Sequence, residues 1–327
     1  MKSIPTTALG KHRSISLTRW GMGTAALGFL YEPVETAAAV DVVHRAFDLG
    51  IRYFDTAPLY GEGKAEERLG QALSTLPRDQ ITISTKVGYT LTPGGGVGHD
   101  YRPDAVCRSL EASLARLGTD HVDIVFIHDP DEDYLGAIQG AYPVLHRWRE
   151  EGVVGAIGVG MNQSAMLTQF AHDGDFDCFL LAGRYTLLDQ SAAADLLPVA
   201  ASRGIRLVIG GPFNSGILTD PWAPQPMFNY EPAQAHWVSR AQALDRVCRE
   251  FEVSLKACAL QFALAHPTVA SVLTGIRSAA ELQENAALWQ DPIPAGLWTA
   301  LQKAGLLDES LPVPDGESWS REGPPAE

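Results

Sequence analysis

The chain has 327 residues and 46% hydrophobic content, enough for a large core and too apolar for a disordered chain. Its formal net charge of -14 argues against nucleic acid and anionic membrane surfaces as partners, since both need basic patches. It leaves room for an anionic cofactor, because local Arg, Lys and helix N-termini can hold one.

The opening residues, MKSIPTTALGKHRS, lack the apolar core of a secretory signal, and no apolar run approaches a membrane span. Cys107, Cys178, Cys248 and Cys258 are scattered with no CxxC spacing. They read as small buried or half-buried residues of a reducing compartment, and a cytoplasmic location is expected.

In chain order, a strand-like run over 17–22 leads to a helical pattern over 35–49 that closes on DLG. A strand over 51–55 precedes a helix over 64–75, and a strand over 81–86 precedes the stretch 88–101, GYTLTPGGGVGHDY. A helix over 103–117 starts at Pro103 and ends on RLG. Strands over 122–127, 154–159, 177–181 and 206–210 follow, separated by helices over 135–151, 163–171 and 190–203. EEG and SRG place glycine where a helix C-terminus favours a left-handed residue. The stretch 211–232, GPFNSGILTDPWAPQPMFNYEP, then precedes a helix over 238–265, a strand over 269–273 and a helix over 278–289.

Eight strand–helix units with apolar strands imply a parallel sheet, closed as a barrel rather than open and doubly wound. The stretches 88–101 and 211–232 follow strands, so they are expected as long loops on the C-terminal rim, where barrels bind ligands. No fixed-period repeat and no linker is present, which predicts one domain over 1–327. The tail from about 314 is expected to be disordered.

Polar residues at strand C-termini are where barrel enzymes place their chemistry. Asp55 ends IRYFD, Lys86 ends ITISTK, His128 ends VDIVFIH, and Asn162 follows VGAIGVGM. Taken singly, each is ordinary: a capping Asp, a solvated Lys, a satisfied His. Together they end successive strands, and Tyr60 lies on the loop beside Asp55. Asp55 can hold Lys86 charged, and the ammonium is expected to lower the pKa of the Tyr60 phenol below about 10. Tyr60 then gives a proton to a carbonyl or takes one from a hydroxyl, with neutral His128 orienting the same oxygen. Such work on C=O or CH–OH needs a separate hydride carrier, which points to nicotinamide and to no metal. GMGTAA, 21–26, matches a loose dinucleotide fingerprint, but Gly28 and Pro33 break the helix that fingerprint requires. GGGVG, 94–98, reads as a flexible rim loop.

At these residues the sequence resembles the aldo-keto reductase family. The motifs are GIRYFDTAPLYGEGKAEERLG, STKVG, RLGTDHVDIVFIHD, EEGVVGAIGVGMN and GIRSAAELQEN, in family order over nearly the whole chain. The resemblance implies a (β/α)8 TIM barrel, an N-terminal β-hairpin closing its bottom, long rim loops and NAD(P)(H) across the rim. It implies a catalytic tetrad of Asp55, Tyr60, Lys86 and His128. It places Gly23, Thr24 and Asp55 beside the nicotinamide and Asn162 on its carboxamide, although the usual Ser-Asn pair reads Met161-Asn162. GGPFNSGIL resembles the pyrophosphate-covering loop, with Gly211, Phe213, Asn214 and Gly216. Gly210 or Gly211 stands where many relatives stack an aromatic ring on the nicotinamide. Gly275, Arg277, Ser278, Glu281 and Asn285 fall in the adenosine segment. Gly275 and Glu281 replace the Lys and Arg of NADP-specific relatives, so NAD is preferred, Glu281 being suited to a ribose hydroxyl; Arg277 keeps NADP open.

LLAGRYTLLDQ, GGPFNSGIL and LQFALAHPTVASVLTGIRS resemble the bacterial aldose 1-dehydrogenases, a group with L-fucose, D-threo-aldose and pyridoxal 4-dehydrogenases. The resemblance implies oxidation of the anomeric hydroxyl of L-fucose, L-galactose, D-arabinose or a similar aldose to the lactone. Trp20, Tyr31, Tyr60, Tyr89, His128, Asp129, Phe213, Asn214 and Tyr230 are the rim candidates for substrate contact. Alternatives remain: pyridoxal or a generic aldehyde or ketone as substrate, a cofactor-binding regulatory subunit, and, more weakly, a metal-dependent hydrolase. The small-molecule enzyme is expected as a monomer or small homo-oligomer.

Overall fold

A strand that is apolar on both faces must be covered on both faces, and these strands have little polar surface to spare. We examine a computed structural model describing residues 3–29, 33–91 and 96–315. It begins with a hairpin of β1 (Thr6–Leu9) and β2 (Ile15–Thr18). The barrel strands follow: β3 (Trp20–Gly23), β4 (Tyr53–Asp55) and β5 (Thr82–Val87). A rim hairpin pairs β6 (Tyr89–Leu91) with β7 (Val97–His99). The barrel continues with β8 (Ile124–His128), β9 (Ala156–Met161), β10 (Cys178–Ala182) and β11 (Arg206–Gly210). After a second rim hairpin, β12 (Met227–Phe228) and β13 (Glu231–Pro232), it ends with β14 (Val269–Gly275). The eight barrel strands are parallel and close in the order β3, β4, β5, β8, β9, β10, β11, β14, with β14 returning to β3. This is the expected (β/α)8 barrel.

The predicted strand over 17–22 is two strands. Thr18 ends the hairpin and Trp20 opens the barrel, with Arg19 at the bend between them. The predicted helix over 238–265 also divides, into Ala235–Glu250 and Leu255–Phe262. Glu252 lies between them with φ of 58°, a left-handed break that the helix cannot pass. The run over 190–203 holds a shorter helix, Leu196–Ser202, and 134–150 contains a π-type turn over Ala137–Ala141. Ala295–Lys303 adds a helix that the Pro- and Gly-rich approach concealed; it buries Leu297, Trp298 and Leu301. The expectation for 94–98 is corrected at its end, since Val97 and Gly98 pair with Leu91 and Thr90. The disorder expected of the tail from about 314 concerns residues that, after 315, lie outside those described.

The core has two parts. One packs helices against the outer faces of the strands. The other fills the barrel: Tyr53, Ile124, Phe126, Cys178, Leu180 and Val208 point inward, and Leu9, Ile15 and Leu17 of the hairpin join them. The hairpin thus plugs one end, and the open end lies at the C-terminal ends of the strands. Among the described residues no helix is long and apolar enough to cross a membrane.

Gly158 makes the interior possible. A Cβ there would lie 2.1 Å from the Cys178 carbonyl oxygen and 2.8 Å from the Phe126 ring. Gly158→Ala is therefore expected to destabilise the barrel by about 1–3 kcal/mol through overpacking. Chemical denaturation measures this, and an unchanged midpoint would reject the close packing.

Candidate active site

Side chains alternate across a strand, so residues two apart share a face. On β4, Tyr53 and Asp55 share the inward face; on β5, Ser84 and Lys86 do. Register pairs Asp55 with Ser84, which brings these side chains together at the mouth. Lys86 Nζ donates to Asp55 Oδ2 at 2.8 Å and to the Thr56 carbonyl at 2.8 Å. Ser84 Oγ donates to Asp55 Oδ1 at 2.7 Å and lies 3.0 Å from the Tyr53 hydroxyl. Asp55 and Lys86 are 2% and 1% exposed, so the pair is fully withdrawn from water.

Tyr60 returns to this pair over the turn that begins at Ala57, whose carbonyl accepts from the Tyr60 amide at 3.1 Å. Gly28 seats that turn. A Cβ on Gly28 would lie 2.5 Å from the Tyr60 carbonyl carbon, and one on Gly61 2.4 Å from the Gly28 oxygen. The Tyr60 ring lies 4.6 Å from Lys86 Nζ and meets His128 edge-on, with centroids 5.9 Å apart. The Tyr89 ring also meets His128 edge-on, with centroids 4.9 Å apart. Tyr101 donates its hydroxyl to the His128 carbonyl at 2.9 Å.

The electrostatics differ from expectation at one group. Burial raises the Tyr60 phenol to about 12, and Lys86, which pulls it down, only partly offsets this, with Asp55 pushing it up as well. The expected net lowering does not occur in the protein alone, because the site that holds the ammonium also excludes water. Burial pulls the Lys86 ammonium down, but Asp55 and Tyr60 outweigh it, and it remains charged. Burial, with Lys86 and His99, holds His128 well below its ordinary range, so its imidazole is neutral. Its Nδ1 is buried without a hydrogen-bond partner.

A cavity of about 430 Å³ opens at this point. Tyr60, Lys86, His128, Asp129, Asn162 and Tyr230 line it, with Gly28, Leu59, Leu180 and Ala182, which sequence reasoning missed. Leu180 lies on the inward face, legible only once the register is known. Trp20, expected on the rim, is not there. It is fully buried at the start of β3, donates Nε1–H to Thr274 Oγ1 at 2.8 Å and stacks on Trp289. Its position at the strand's N-terminal end keeps it from the mouth. Tyr31 lies outside the described residues. Gly23 ends β3 opposite Asp55, and the Thr24 hydroxyl donates to the Asp55 carbonyl at 3.0 Å.

A second groove, about 390 Å³, runs along the adjoining rim. Gly211, Phe213, Asn214, Gly216, Gly275, Arg277, Glu281 and Asn285 line it together, with Lys256 and Glu284. Gly211 and Gly216 have φ of 59° and 95°, so the loop bends where L side chains are strained. Asn214 turns inward instead, taking the Thr186 hydroxyl at 2.6 Å and donating to the Gly183 carbonyl at 3.0 Å. Glu281 faces Arg277 rather than open groove: Arg277 Nε donates to Oε1 at 2.7 Å and its amide to Oε2 at 3.0 Å. Lys256 is likewise paired, 2.6 Å from Glu284. The helix Ala279–Gln290, capped by Ser278 Oγ, presents its N-terminus on this side. Backbone-rich bends, a helix N-terminus and two cations suit a pyrophosphate and its nucleoside.

A sequence model of the aldo/keto reductase family matches residues 19–305. The chain is 36% identical to a pyridoxal 4-dehydrogenase from Microbacterium luteolum, over 94% of this chain and 99% of that one. It is 38% identical to a D-threo-aldose 1-dehydrogenase from a Pseudomonas species, over 90% and 95% respectively. Its fold superposes on an aldo-keto reductase from Bacillus halodurans with a TM-score of 0.77, at 24% identity, covering 92% and 96% of the two chains. The chain therefore belongs to the aldo/keto reductase family and is an NAD(P)-dependent oxidoreductase.

Proposed function

We propose that the protein oxidises the anomeric hydroxyl of an aldose such as L-fucose, L-galactose or D-arabinose to the lactone, with NAD+ as preferred acceptor. The observation that carries this reading is the likeness to the D-threo-aldose 1-dehydrogenase along nearly both full lengths. The cavity supports it, being of small-molecule size and holding hydroxyl, imidazole, amide and carboxylate groups beside apolar walls.

The bound nicotinamide supplies the hydride acceptor. The residues handle the proton and the geometry. Tyr60 takes the proton of the anomeric hydroxyl as phenolate while hydride leaves the same carbon, so the C–OH becomes the lactone C=O. Lys86 stabilises that phenolate, and Asp55 holds Lys86. Neutral His128 orients the reacting oxygen. Gly23, Thr24 and Asn162 would hold the nicotinamide, and the second groove would hold the pyrophosphate and adenosine. Its two cations are each already paired with a carboxylate, which disfavours the extra charge of a 2′-phosphate and favours NAD. The whole chain acts as one domain, as a monomer or small homo-oligomer. A second reading takes pyridoxal as substrate, favoured by the other relative and by Leu59, Met161, Leu180 and Tyr230 as walls for a flat ring.

Oxidation of L-fucose, L-galactose, D-arabinose and pyridoxal, with NAD+ and NADP+ in parallel, separates the two. Turnover of one or two aldoses with NAD+ is expected; activity on pyridoxal alone would replace the first reading by the second. Tyr60→Phe is expected to lower kcat by about 10²–10⁴-fold, the range for a lost acid/base group, with NADH binding retained by fluorescence titration. Substantial residual turnover would remove Tyr60 from its role. Because burial holds the phenol protonated up to about 12, the phenolate fraction grows with pH. Oxidation kcat/KM should therefore rise by up to about tenfold per pH unit on the alkaline side, whereas reduction, which uses the phenol, should stay flat there. A flat oxidation profile with a full deuterium isotope effect at C1 would reject a phenol base.

A further inference from the structure

Asp129 follows the residue that ends β8, and its backbone is unusual. Its φ is 40°, in the left-handed region that few non-glycine residues enter, Asp and Asn being the most tolerant. The conformation is held from two sides. The Asp129 amide donates to the Gly160 carbonyl at 2.9 Å, and the Tyr101 hydroxyl donates to the Asp129 carbonyl at 3.2 Å. Tyr101 in turn packs under Gly88, where a Cβ would come 2.3 Å from its ring. Two neighbouring elements therefore fix a residue whose side chain, among the described residues, makes no ion pair with Lys or Arg. Backbone conformations of this kind cluster at ligand-binding and active sites, and here the residue also lines the cavity beside His128.

The carboxylate points into the cavity. Oδ2 lies 3.6 Å from His128 Nε2, too far for a direct hydrogen bond and close enough for one substrate hydroxyl to bridge the two. Asp131 and Glu132 follow on the same loop, so this side of the mouth is acidic. Burial, with the charge of Asp131, raises Asp129 to about 6, which leaves it ionised at neutral and alkaline pH. Among the described residues lining the cavity the one Lys or Arg is Lys86, and it is committed to Asp55 and the Thr56 carbonyl.

We propose that Asp129 is the specificity-determining residue of the cavity, accepting hydrogen bonds from a hydroxyl near the reacting carbon and turning away substrates that carry a phosphate or carboxylate. The inference rests on the reading of this cavity as the substrate site. The preferred class is then neutral, polyhydroxylated aldehydes and hemiacetals; phosphorylated sugars and acid aldehydes are excluded by an unpaired like charge, a repulsive element rather than a missing attraction. The reaction that supplies the substrate must accordingly release a free, unphosphorylated sugar or aldehyde.

The test compares kcat/KM for reduction of butanal and succinic semialdehyde, a matched pair differing by one carboxylate, together with oxidation of D-arabinose. The wild-type protein should prefer butanal by about tenfold or more, and Asp129→Asn should narrow that preference by about tenfold. Asn suits the left-handed backbone, so the fold is expected to survive. Asp129→Glu should restore rejection of the anion, which a purely structural role would not do. For D-arabinose, Asp129→Asn should act mainly on KM. Equal use of both aldehydes by the wild-type protein, or an unchanged ratio in Asp129→Asn, overturns the proposal. If no aldose is turned over and the aldehyde ratio still shifts, Asp129 keeps its role and the aldose reading falls. If aldoses are oxidised and the ratio does not shift, the reverse holds.

Discussion

The buried ion pair of Lys86 and Asp55 organises the mouth of the barrel. Removing an ammonium and a carboxylate from water costs several kcal/mol per ion, and attraction alone repays this only with good geometry and further hydrogen bonds. The barrel supplies both: Asp55 also accepts from Ser84, and Lys86 also donates to the Thr56 carbonyl. Each partner comes from β4, β5 or the turn after β4, so the pair is only as good as the register between those strands. Tyr60 depends on it next, because the ammonium stabilises its phenolate. His128 depends on it through the same charge, which helps keep its imidazole neutral.

The same water exclusion works against the phenol. In the protein alone, burial raises Tyr60 by more than Lys86 lowers it. The phenol is thus protonated at neutral pH, the form a proton donor needs, and the phenolate is reached only at alkaline pH or beside an added positive charge. An oxidised nicotinamide bound near the phenol would supply such a charge and would link cofactor binding to proton transfer electrostatically.

Charge is sorted along the rim. The cavity at the barrel mouth has Lys86 as its one Lys or Arg among the described lining residues and an acidic edge at Asp129, whereas the neighbouring groove holds Lys256 and Arg277, each matched to a glutamate. On the proposed reading, one face of an acidic protein would hold a dinucleotide diphosphate while an adjacent cavity disfavours anions.

Much of this was legible without coordinates. Eight apolar runs alternating with amphipathic ones specify a parallel closed sheet, because a strand with no polar face must be covered twice. Asp55, Lys86 and His128 stand out because they lie where apolar runs stop, and Gly275, Arg277 and Glu281 because they lie in one recognisable phrase. Other features depended on pairing. Ser84 is an unremarkable serine until register sets it against Asp55. Gly28 matters because Gly61, far along the chain, comes against it. Trp20 looked like a rim aromatic, but β3 starts at that residue, so it sits a full strand below the mouth among helices. The net direction of the Tyr60 shift was also hidden, since it balances burial against charge. Local patterns in a sequence determine which residues a strand buries and where it ends; which of them touch, and how much water is left between them, is decided only when distant segments pack together.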